Sequence, residues 1–212
     1  MVHNGHKGLL SPTCFSPAAE QNKGPILQVL HSALPSRGQV IEIASGTGQH
    51  VVHFAKALPH LQWQPTERDA RLLQAIAERM ATERLDNVRP PVPLDVFEVS
   101  WPAHRFNAAL CINLLHIAPE AATTALFRGA ASVLEANGCV VVYGPFKREG
   151  RHTAPSNARF DADLRWQNPA WGVRDLETVA TAAGVVEFEL EDAVAMPADN
   201  LTLIFRRLGS PS

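Results

Sequence analysis

The feature that most constrains the fold is a run of β-branched residues ending in a turn of small residues, Val40-Ile41-Glu42-Ile43-Ala44-Ser45-Gly46-Thr47-Gly48. The alternating β-branched residues predict a buried strand, and the small residues after it let the backbone bend tightly and approach a ligand. The apolar residues that follow recur at helical spacing: Val51, Val52, Phe54, Ala55 and Leu58. The run therefore predicts a strand, a tight turn and a helix whose free N–H groups face a ligand on the turn.

A second strand-like run over residues 61–66 ends at Glu67, which lies 25 positions after Glu42. This separation suits a β-turn-α-β unit in which the second acidic residue binds the hydroxyl groups of a ribose. The alternative is a turn that only packs. The downstream carboxylate and the strand-then-helix order favour a cofactor site.

Two cofactors compete for such a unit. A dinucleotide fingerprint requires G-x-G-x-x-G, and Val51 occupies the position of the third glycine. A P-loop is excluded because no Gly-Lys-Ser/Thr follows the turn. The pattern E-x-A-x-G-x-G resembles the first motif of the class I S-adenosylmethionine (SAM) dependent methyltransferases, with Ala44 where their first glycine usually stands. SAM brings no phosphate for Glu42 to repel, so SAM is the expected cofactor.

Strand and helix patterns alternate along the chain, which predicts an α/β fold with a mostly parallel sheet and helices on both faces. The predicted strands are residues 40–44, 62–66, 92–94, 108–112, 139–143, 186–190 and 201–206. The predicted helices lie near residues 49–58, 69–82, 119–134 and 176–183. A short turn at residues 196–200 joins the last two strands, so a C-terminal β-hairpin is expected to carry the only antiparallel strand. This is the seven-stranded, Rossmann-like sheet of the class I methyltransferases.

The composition is that of a globular protein, because 46% of the 212 residues are hydrophobic and 19% are charged. This length suits a single domain over residues 1–212. The net charge of −2 offers no electrostatic basis for binding nucleic acid or an anionic membrane, so a small-molecule partner is expected. The first eight residues lack an apolar signal core, and no apolar run approaches the ~18 residues of a membrane span, which predicts a cytoplasmic location.

Two residue types raise the question of a metal. His50 and His53 are spaced to share one face of a helix, but no third ligand lies nearby, so no metal is expected. The three cysteines are scattered, and Cys111 and Cys139 fall in strand-like runs where they are expected to be buried.

Cofactor-binding residues are expected beyond the carboxyl ends of the strands, where ligands of open α/β sheets lie. The predicted set is Glu42, Ala44, Ser45, Gly46, Gly48, Glu67, Arg68, Asp95, Val96 and Asn113. Glu67 is expected to bind the ribose hydroxyls and Arg68 to stack on or flank the adenine. Asp95 is suited to accept from the adenine amino group, and a turn or helix-cap acid is the alternative.

Three residues are predicted to be catalytic: Asn113, His116 and Tyr143. Methyl transfer from a sulfonium is an in-line displacement, so the protein supplies proximity, alignment and a base for an O or N nucleophile. His116 is the candidate base because imidazole titrates near neutrality, and a hydrogen-bonding wall is the alternative. The Tyr143 hydroxyl is expected to orient substrate or to cap the sheet.

Seven linked segments also resemble one family. They are Ser16-Pro17-Ala18-Ala19-Glu20-x-Asn22-Lys23-x-Pro25-Ile26-Leu27, Glu42-Ile43-Ala44-Ser45-Gly46-Thr47-Gly48-Gln49-His50, Trp63-Gln64-Pro65, Asn113-Leu114-Leu115-His116-Ile117, Tyr143-Gly144-Pro145-Phe146, Ser156-Asn157-x-x-Phe160-Asp161 and Trp171-Gly172-x-Arg174-Asp175. Together they resemble the methyltransferase-like 26 family of class I SAM-dependent methyltransferases. The resemblance implies SAM binding, and it implies that Glu20, Asn22, Lys23 and Asn157 form walls of the site and bind substrate.

Two segments fall outside the alternating pattern. Residues 1–35 are expected to form a cover segment that leads into a short amphipathic helix after Pro25. Residues 145–174 form a long connection after a strand end, which is typical of a lid or substrate wall; a cover of the sheet edge with a helical turn near residues 158–165 is the alternative.

The expected function is a SAM-dependent methyltransferase acting on an O or N nucleophile of a small molecule. The alternative is a binding protein that holds SAM without turnover, as a sensor or docking module.

Overall fold

The computed structural model describes residues 15–209, which contain ten strands and six α-helices. The strands are β1 (Gly38–Ile43), β2 (Leu61–Glu67), β3 (Val92–Pro93), β4 (Phe106–Ile112), β5 (Leu134–Gly144), β6 (Phe146–Arg148), β7 (Arg151–His152), β8 (Arg174–Asp175), β9 (Phe188–Met196) and β10 (Asn200–Arg207). The helices are α1 (Pro17–Ala33), α2 (Gln49–Ala57), α3 (Ala70–Glu83), α4 (Ala121–Val133), α5 (Pro155–Gln167) and α6 (Leu176–Gly184).

Seven strands form one sheet in the order β3-β2-β1-β4-β5-β10-β9. The pairs from β3 to β5 are parallel, whereas β10 is antiparallel to both β5 and β9. A 3₁₀ turn, Pro197–Asp199, joins β9 to β10. The predicted α/β fold with a C-terminal hairpin is therefore confirmed. The predicted fifth and sixth strands are longer than expected, since β5 begins at Leu134 and β9 continues to Met196.

Side chains of each strand alternate between two cores, one on each face of the sheet. Val40 packs in a cluster with α1 and α2, and its neighbour Ile41 packs in a cluster with α4 and α6. This alternation is the period of two that a β-strand imposes. Cys111 and Cys139 are fully buried on opposite faces, as predicted. The sheet is thus covered on both sides, and its strand ends remain available for a ligand.

The first helix begins earlier than predicted, at Pro17 rather than after Pro25. Ser16 caps it, because its hydroxyl accepts a hydrogen bond from Ala19 N at 3.2 Å. Pro25 lies inside the helix and does not end it. Ile26 and Leu30 after it pack in the cluster with α2 and the sheet, and Asn22 before it contacts His50 of α2. The part of the expected cover segment that precedes residue 15 lies outside the described residues.

The connection over residues 145–174 is a small folded unit. β6, β7 and β8 form a three-stranded sheet in the order β7-β6-β8, and α5 packs beside it. The buried Asp161 carboxylate holds this unit together through Lys147 Nζ at 3.1 Å, His152 Nε2 at 3.3 Å and Arg165 Nε at 3.2 Å. Its Oδ1 also accepts from Val173 N at 2.7 Å.

Arg174 links this unit to the end of the main sheet. Its guanidinium donates to the carbonyl oxygens of Leu115 and Ala118, which lie in the loop after β4, and to that of Ala170. Gly172 N donates to His116 O at 3.0 Å in the same region. The residues near 170 are therefore held against the carboxyl end of β4. None of the helices within residues 15–209 combines the length and apolar character that crossing a membrane requires.

Candidate functional site

A cavity of about 700 Å³ lies at the carboxyl ends of β1, β2 and β4. Its walls come from the strand ends, the start of α1, the start of α2 and the residues near 170. The lining residues are Ser16, Ala19, Ile43, Ala44, Ser45, Gly46, Thr47, Gln49, His50, Glu67, Arg68, Asp69, Leu72, Leu94, Asp95, Val96, Phe97, Ile112, Asn113, Leu114, Ile117, Ala118, Pro119, Asn168 and Trp171. Of the predicted cofactor-binding set, this lining includes every residue except Glu42 and Gly48.

The turn after β1 adopts backbone conformations that L residues seldom occupy. Ala44, Gly46 and Gly48 have φ values of 54°, 57° and 75°. Ala44 carries a Cβ in this left-handed region, a conformation that costs a non-glycine residue about 1–3 kcal/mol and is typical of functional sites. A Cβ on Gly48 would lie 3.3 Å from the Ile76 side chain, so glycine there lets α3 pack against the turn.

Glu67 joins the ends of β1 and β2. Its Oε2 accepts from Gly46 N at 3.0 Å, and its Oε1 accepts from Arg68 N at 2.8 Å. The side chain is buried within the protein, yet it lines the cavity. These hydrogen bonds hold the Glu67 carboxylate against the glycine turn, where the sequence predicts a carboxylate that binds ribose hydroxyls.

Asp95 follows β3 and closes a turn, the alternative that the sequence left open for it, and its contact with adenine stays a prediction. Its Oδ1 accepts from Phe97 N at 3.0 Å, which closes a turn, and its Oδ2 lies 3.7 Å from Arg68 Nη1. The residue also lines the cavity, together with Val96 and the half-exposed Phe97. The acid therefore shapes the loop and presents a carboxylate to the cleft.

Glu42 lies within β1, below the turn, and is 1% exposed. Its Oε2 is buried and has no hydrogen-bond partner within residues 15–209. Burial raises its pKa to about 8, and the nearby Glu67 adds to the rise. The structure thus keeps a carboxyl group beneath the cavity that is protonated near pH 7.

Asn113 and His116 follow β4, but only Asn113 lines the cavity. Asn113 has a φ of 58°, which asparagine tolerates, and its N–H donates to Tyr143 O at 2.9 Å. The His116 ring is buried and stands edge-on to Phe160, with ring centroids 5.5 Å apart. Burial lowers its pKa to about 4, and Arg174 contributes. The structure therefore places the predicted base outside the lining.

The polar residues predicted in α1 also lie behind the lining. Glu20 and Lys23 form an ion pair with each other, and Glu20 Oε2 lies 3.5 Å from Gln49 Nε2. Asn22 is buried, and its Oδ1 lies 2.7 Å from His50 Nε2. The residues of α1 and its cap that reach the cavity are Ser16 and Ala19 instead.

Tyr143 and Asn157 take part in hydrogen bonds away from the lining. The Tyr143 hydroxyl accepts from Asn200 Nδ2 at 2.9 Å. Asn157 Nδ2 donates to Thr153 Oγ1 and to Asp199 O, both at 2.9 Å. Asn157 therefore connects α5 to the turn before β10, and the structure does not bring it to the cavity.

Several lining residues were not predicted as site residues. Gln49 Oε1 accepts from Ser16 N and from Thr47 Oγ1, so this side chain ties the start of α1 to the glycine turn. The sequence pattern indicates His50 only as a possible metal ligand. Its position just after the glycine turn is the sequence signal that points to the cavity. Trp171 and Asn168 come from the segment that the sequence marked only as a lid or edge cover. Within residues 15–209, no group of three or more His, Cys, Asp or Glu side chains is arranged to hold a metal.

The fold is similar to that of solved methyltransferases. An O-methyltransferase family protein from Burkholderia thailandensis matches 92% of this chain with a TM-score of 0.77 at 15% identity. The mitomycin 7-O-methyltransferase matches 90% with a TM-score of 0.77 at 18% identity. Human N-acetylserotonin methyltransferase, solved in complex with SAM, matches 90% with a TM-score of 0.75 at 11% identity. The chain has the class I methyltransferase fold.

The matches cover 58%, 54% and 53% of those three proteins, so this chain spans just over half of their length. A separate comparison with protein families matches residues 13–207. That match runs from just before α1 to the last residue of β10 and includes every residue that lines the cavity. The chain therefore belongs to the family described as "Protein of unknown function (DUF938)".

Proposed function

We propose that this chain is a SAM-dependent methyltransferase acting on a small molecule with an O or N nucleophile. The observation that carries the proposal is the Glu67 carboxylate, which contacts Gly46 N at 3.0 Å across the ends of two parallel strands and lines the cavity. This arrangement suits a ligand with a ribose diol, because a carboxylate accepts two hydrogen bonds from adjacent hydroxyls.

The charges around the cavity favour SAM over a dinucleotide. The lining contains three carboxylates and one guanidinium, and Arg68 is already paired with Asp95. SAM carries a sulfonium and an ammonium group, whereas a dinucleotide carries a pyrophosphate that this acidic surface would repel. Val51 is fully buried at the position of the third fingerprint glycine.

The cavity also has room for two molecules. Its volume of about 700 Å³ lies in the upper half of the ~300–1,000 Å³ range of ligand pockets, which suits a nucleoside cofactor and a small acceptor. When bound, SAM supplies an electrophilic methyl group. The residues of the chain align the acceptor with that group, and Asn113, at the end of β4, is placed to do so.

Two similarities support the same assignment. Human N-acetylserotonin methyltransferase, which shares the fold, was solved with SAM. The resemblance to the methyltransferase-like 26 family, which runs from Ser16 onward, implies the same cofactor.

Calorimetry tests the cofactor and a methyl-release assay tests the reaction. We expect SAM and S-adenosylhomocysteine to bind and NAD to bind far more weakly. Glu67→Ala should weaken SAM binding, and Glu135→Ala, which removes an exposed carboxylate of β5, is the matched control. Comparable affinities for NAD and SAM would overturn the cofactor assignment.

The wild-type protein should then release labelled methyl from SAM into at least one fraction of a small-molecule extract. Tight SAM binding without release into any fraction would favour a binding module over an enzyme.

A further inference from the structure

The hydrogen bonds of His50 set the position of its ring proton. His50 lies in the first turn of α2 and lines the cavity. Its Nε2 lies 2.7 Å from the Oδ1 of Asn22. Because an amide oxygen only accepts hydrogen bonds, Nε2 carries the proton and Nδ1 carries the lone pair.

Asn22 also belongs to a buried group of hydrogen-bonded side chains that includes Tyr143. The amide group of Asn22 donates to the Tyr143 hydroxyl, which also accepts from Asn200 Nδ2 at 2.9 Å. Asn22 and Tyr143 are both buried. In this orientation the amide oxygen of Asn22 faces His50 and its N–H group faces Tyr143.

The second ring nitrogen of His50 is free to meet a ligand. Within residues 15–209, Nδ1 makes no hydrogen bond, and it is not among the buried polar atoms that lack a partner. Phe54 stacks on the ring, with centroids 5.7 Å apart, and limits its rotation. His53, one turn further along α2, does not line the cavity.

The surroundings of His50 select against charged acceptors. Burial lowers the pKa of His50 to about 4, and His53 and Lys23 contribute, so the ring is neutral near pH 7. A neutral ring offers no counter-charge to an anion, and the excess of carboxylates in the lining repels one. The same weak basicity prevents the ring from removing a proton from an alkylammonium group. The lining also offers apolar side chains, among them Leu114, Ile117 and Trp171.

We propose that His50 orients the methyl acceptor, with Nδ1 accepting a hydrogen bond from an uncharged hydroxyl group of a small molecule that is otherwise largely apolar. This inference rests on the proposed function. The acceptor oxygen forms a bond to the methyl carbon while the carbon–sulfur bond breaks and leaves its electron pair on sulfur. The hydroxyl proton passes to Nδ1 and then to water. A methylated hydroxyl that still holds its proton is a strong acid, so a weakly basic imidazole suffices to take it.

The first test measures binding without any reaction. Imidazole ¹⁵N resonances of the labelled protein distinguish the two tautomers, and His50→Ala assigns the His50 signals. We expect the Nε2-protonated form in the wild-type protein, and loss of that tautomer preference in Asn22→Ala. Phenol, benzoate and benzylamine then serve as a neutral, an anionic and a cationic probe of the same ring size. Phenol should shift the Nδ1 resonance of His50, and the two ions should shift it much less.

His53→Ala is the matched control for this test, and it should leave the phenol response of His50 intact. A protonated Nδ1, or a response to benzoate as large as that to phenol, would overturn the inference. Neither result depends on SAM binding or turnover, so failure here is distinguishable from failure of the proposed function.

The second test uses the methyl-release assay once the wild-type protein turns over. His50→Ala should lower turnover by about 10²–10⁴, the usual worth of a general base, with SAM affinity within a few-fold of wild type. His53→Ala should retain wild-type turnover. The labelled product should be an alkali-stable ether in the uncharged fraction. The assignment would be overturned if the product were an alkali-labile methyl ester or a methylated amine. It would also be overturned if His116→Ala lost turnover and His50→Ala did not.

Discussion

Replacement of Glu42 by glutamine tests whether the protein keeps an energetically costly acid beneath its cavity. Glutamine has nearly the shape of a protonated glutamic acid but does not ionise. The side chain is 1% exposed, its Oε2 has no partner within residues 15–209, and burial raises its pKa from 4.5 to about 8. The variant therefore removes the ionisable group and leaves the packing almost unchanged.

The size and sign of the effect follow from proton linkage. Because the folded pKa lies above the unfolded value, the folded protein keeps a proton that the unfolded chain loses between pH 4.5 and about 8. Wild-type stability therefore falls as pH rises through that window. Glu42 lowers the free energy of unfolding by on the order of 3 kcal/mol at pH 7 and by less than about 1 kcal/mol at pH 5. Each pH unit above the unfolded pKa costs about 1.4 kcal/mol.

Glu42→Gln should therefore be more stable relative to wild type at pH 7 than at pH 5, by about 2 kcal/mol. Any cost of the buried amide itself is common to both pH values and cancels. Urea unfolding at the two pH values measures the difference, and it corresponds to roughly 4–8 °C in melting temperature for a chain of this size. The exposed Glu135→Gln is the control, because surface substitutions usually change stability by less than about 0.5 kcal/mol.

An equal stability difference at pH 5 and pH 7 would refute the reasoning. It would mean that Glu42 ionises in the folded protein as readily as in the unfolded chain.

Three further predictions concern the cofactor site and the packing. Glu67→Ala should weaken SAM binding about ten- to a hundredfold by calorimetry, because charge-assisted hydrogen bonds are worth about 1.5–3 kcal/mol. The circular dichroism spectrum should stay unchanged. Normal SAM binding by the folded variant would assign the ribose contact to another residue. Asp161→Asn should cost about 1.5–3 kcal/mol in urea unfolding, because it replaces a buried carboxylate that accepts hydrogen bonds from Lys147, Arg165 and Val173 N. The exposed Asp163→Asn on the same helix should change little, and equal costs would remove Asp161 from the stability of that unit. Gly129→Ala should lower the melting temperature, because the added Cβ would lie 2.0 Å from an indole carbon of Trp101. Gly24→Ala should raise the melting temperature, because no atom lies within 4 Å of the added Cβ and alanine favours a helix. Equal melting temperatures of the two variants would contradict the close packing at α4.

Local sequence patterns were enough to predict the sheet and much of the strand-end chemistry. A strand pattern depends only on neighbours along the chain, and such patterns located β1, β2 and β4 to within two residues of their observed ends. Glu67 and Asp95 were predictable because the carboxyl ends of parallel strands meet at one edge of a sheet, so residues that follow strands share a cleft. Both residues line the cavity.

Elements distant along the chain were harder to place. The sequence predicts a helix that starts only after Pro25, whereas α1 starts at Pro17, because packing against the sheet outweighs the N–H group that proline lacks. The contact between Ser16 and Gln49 joins residues 33 positions apart, and no periodic pattern encodes it.

The sequence by itself determined the order of the seven strands of the main sheet and the acidic residues at the strand ends, because these depend on local periodicity and on a general rule of open α/β sheets. Only the tertiary structure decided which histidine reaches the cavity. His50 and His116 both lie just past a strand end in the sequence, but packing against Phe160 buries the ring of His116 outside the lining, whereas Asn22 holds the ring of His50 at the cavity. The solvation and hydrogen-bond partners of an imidazole are set by residues from other elements, so its chemistry emerges only when the chain has folded.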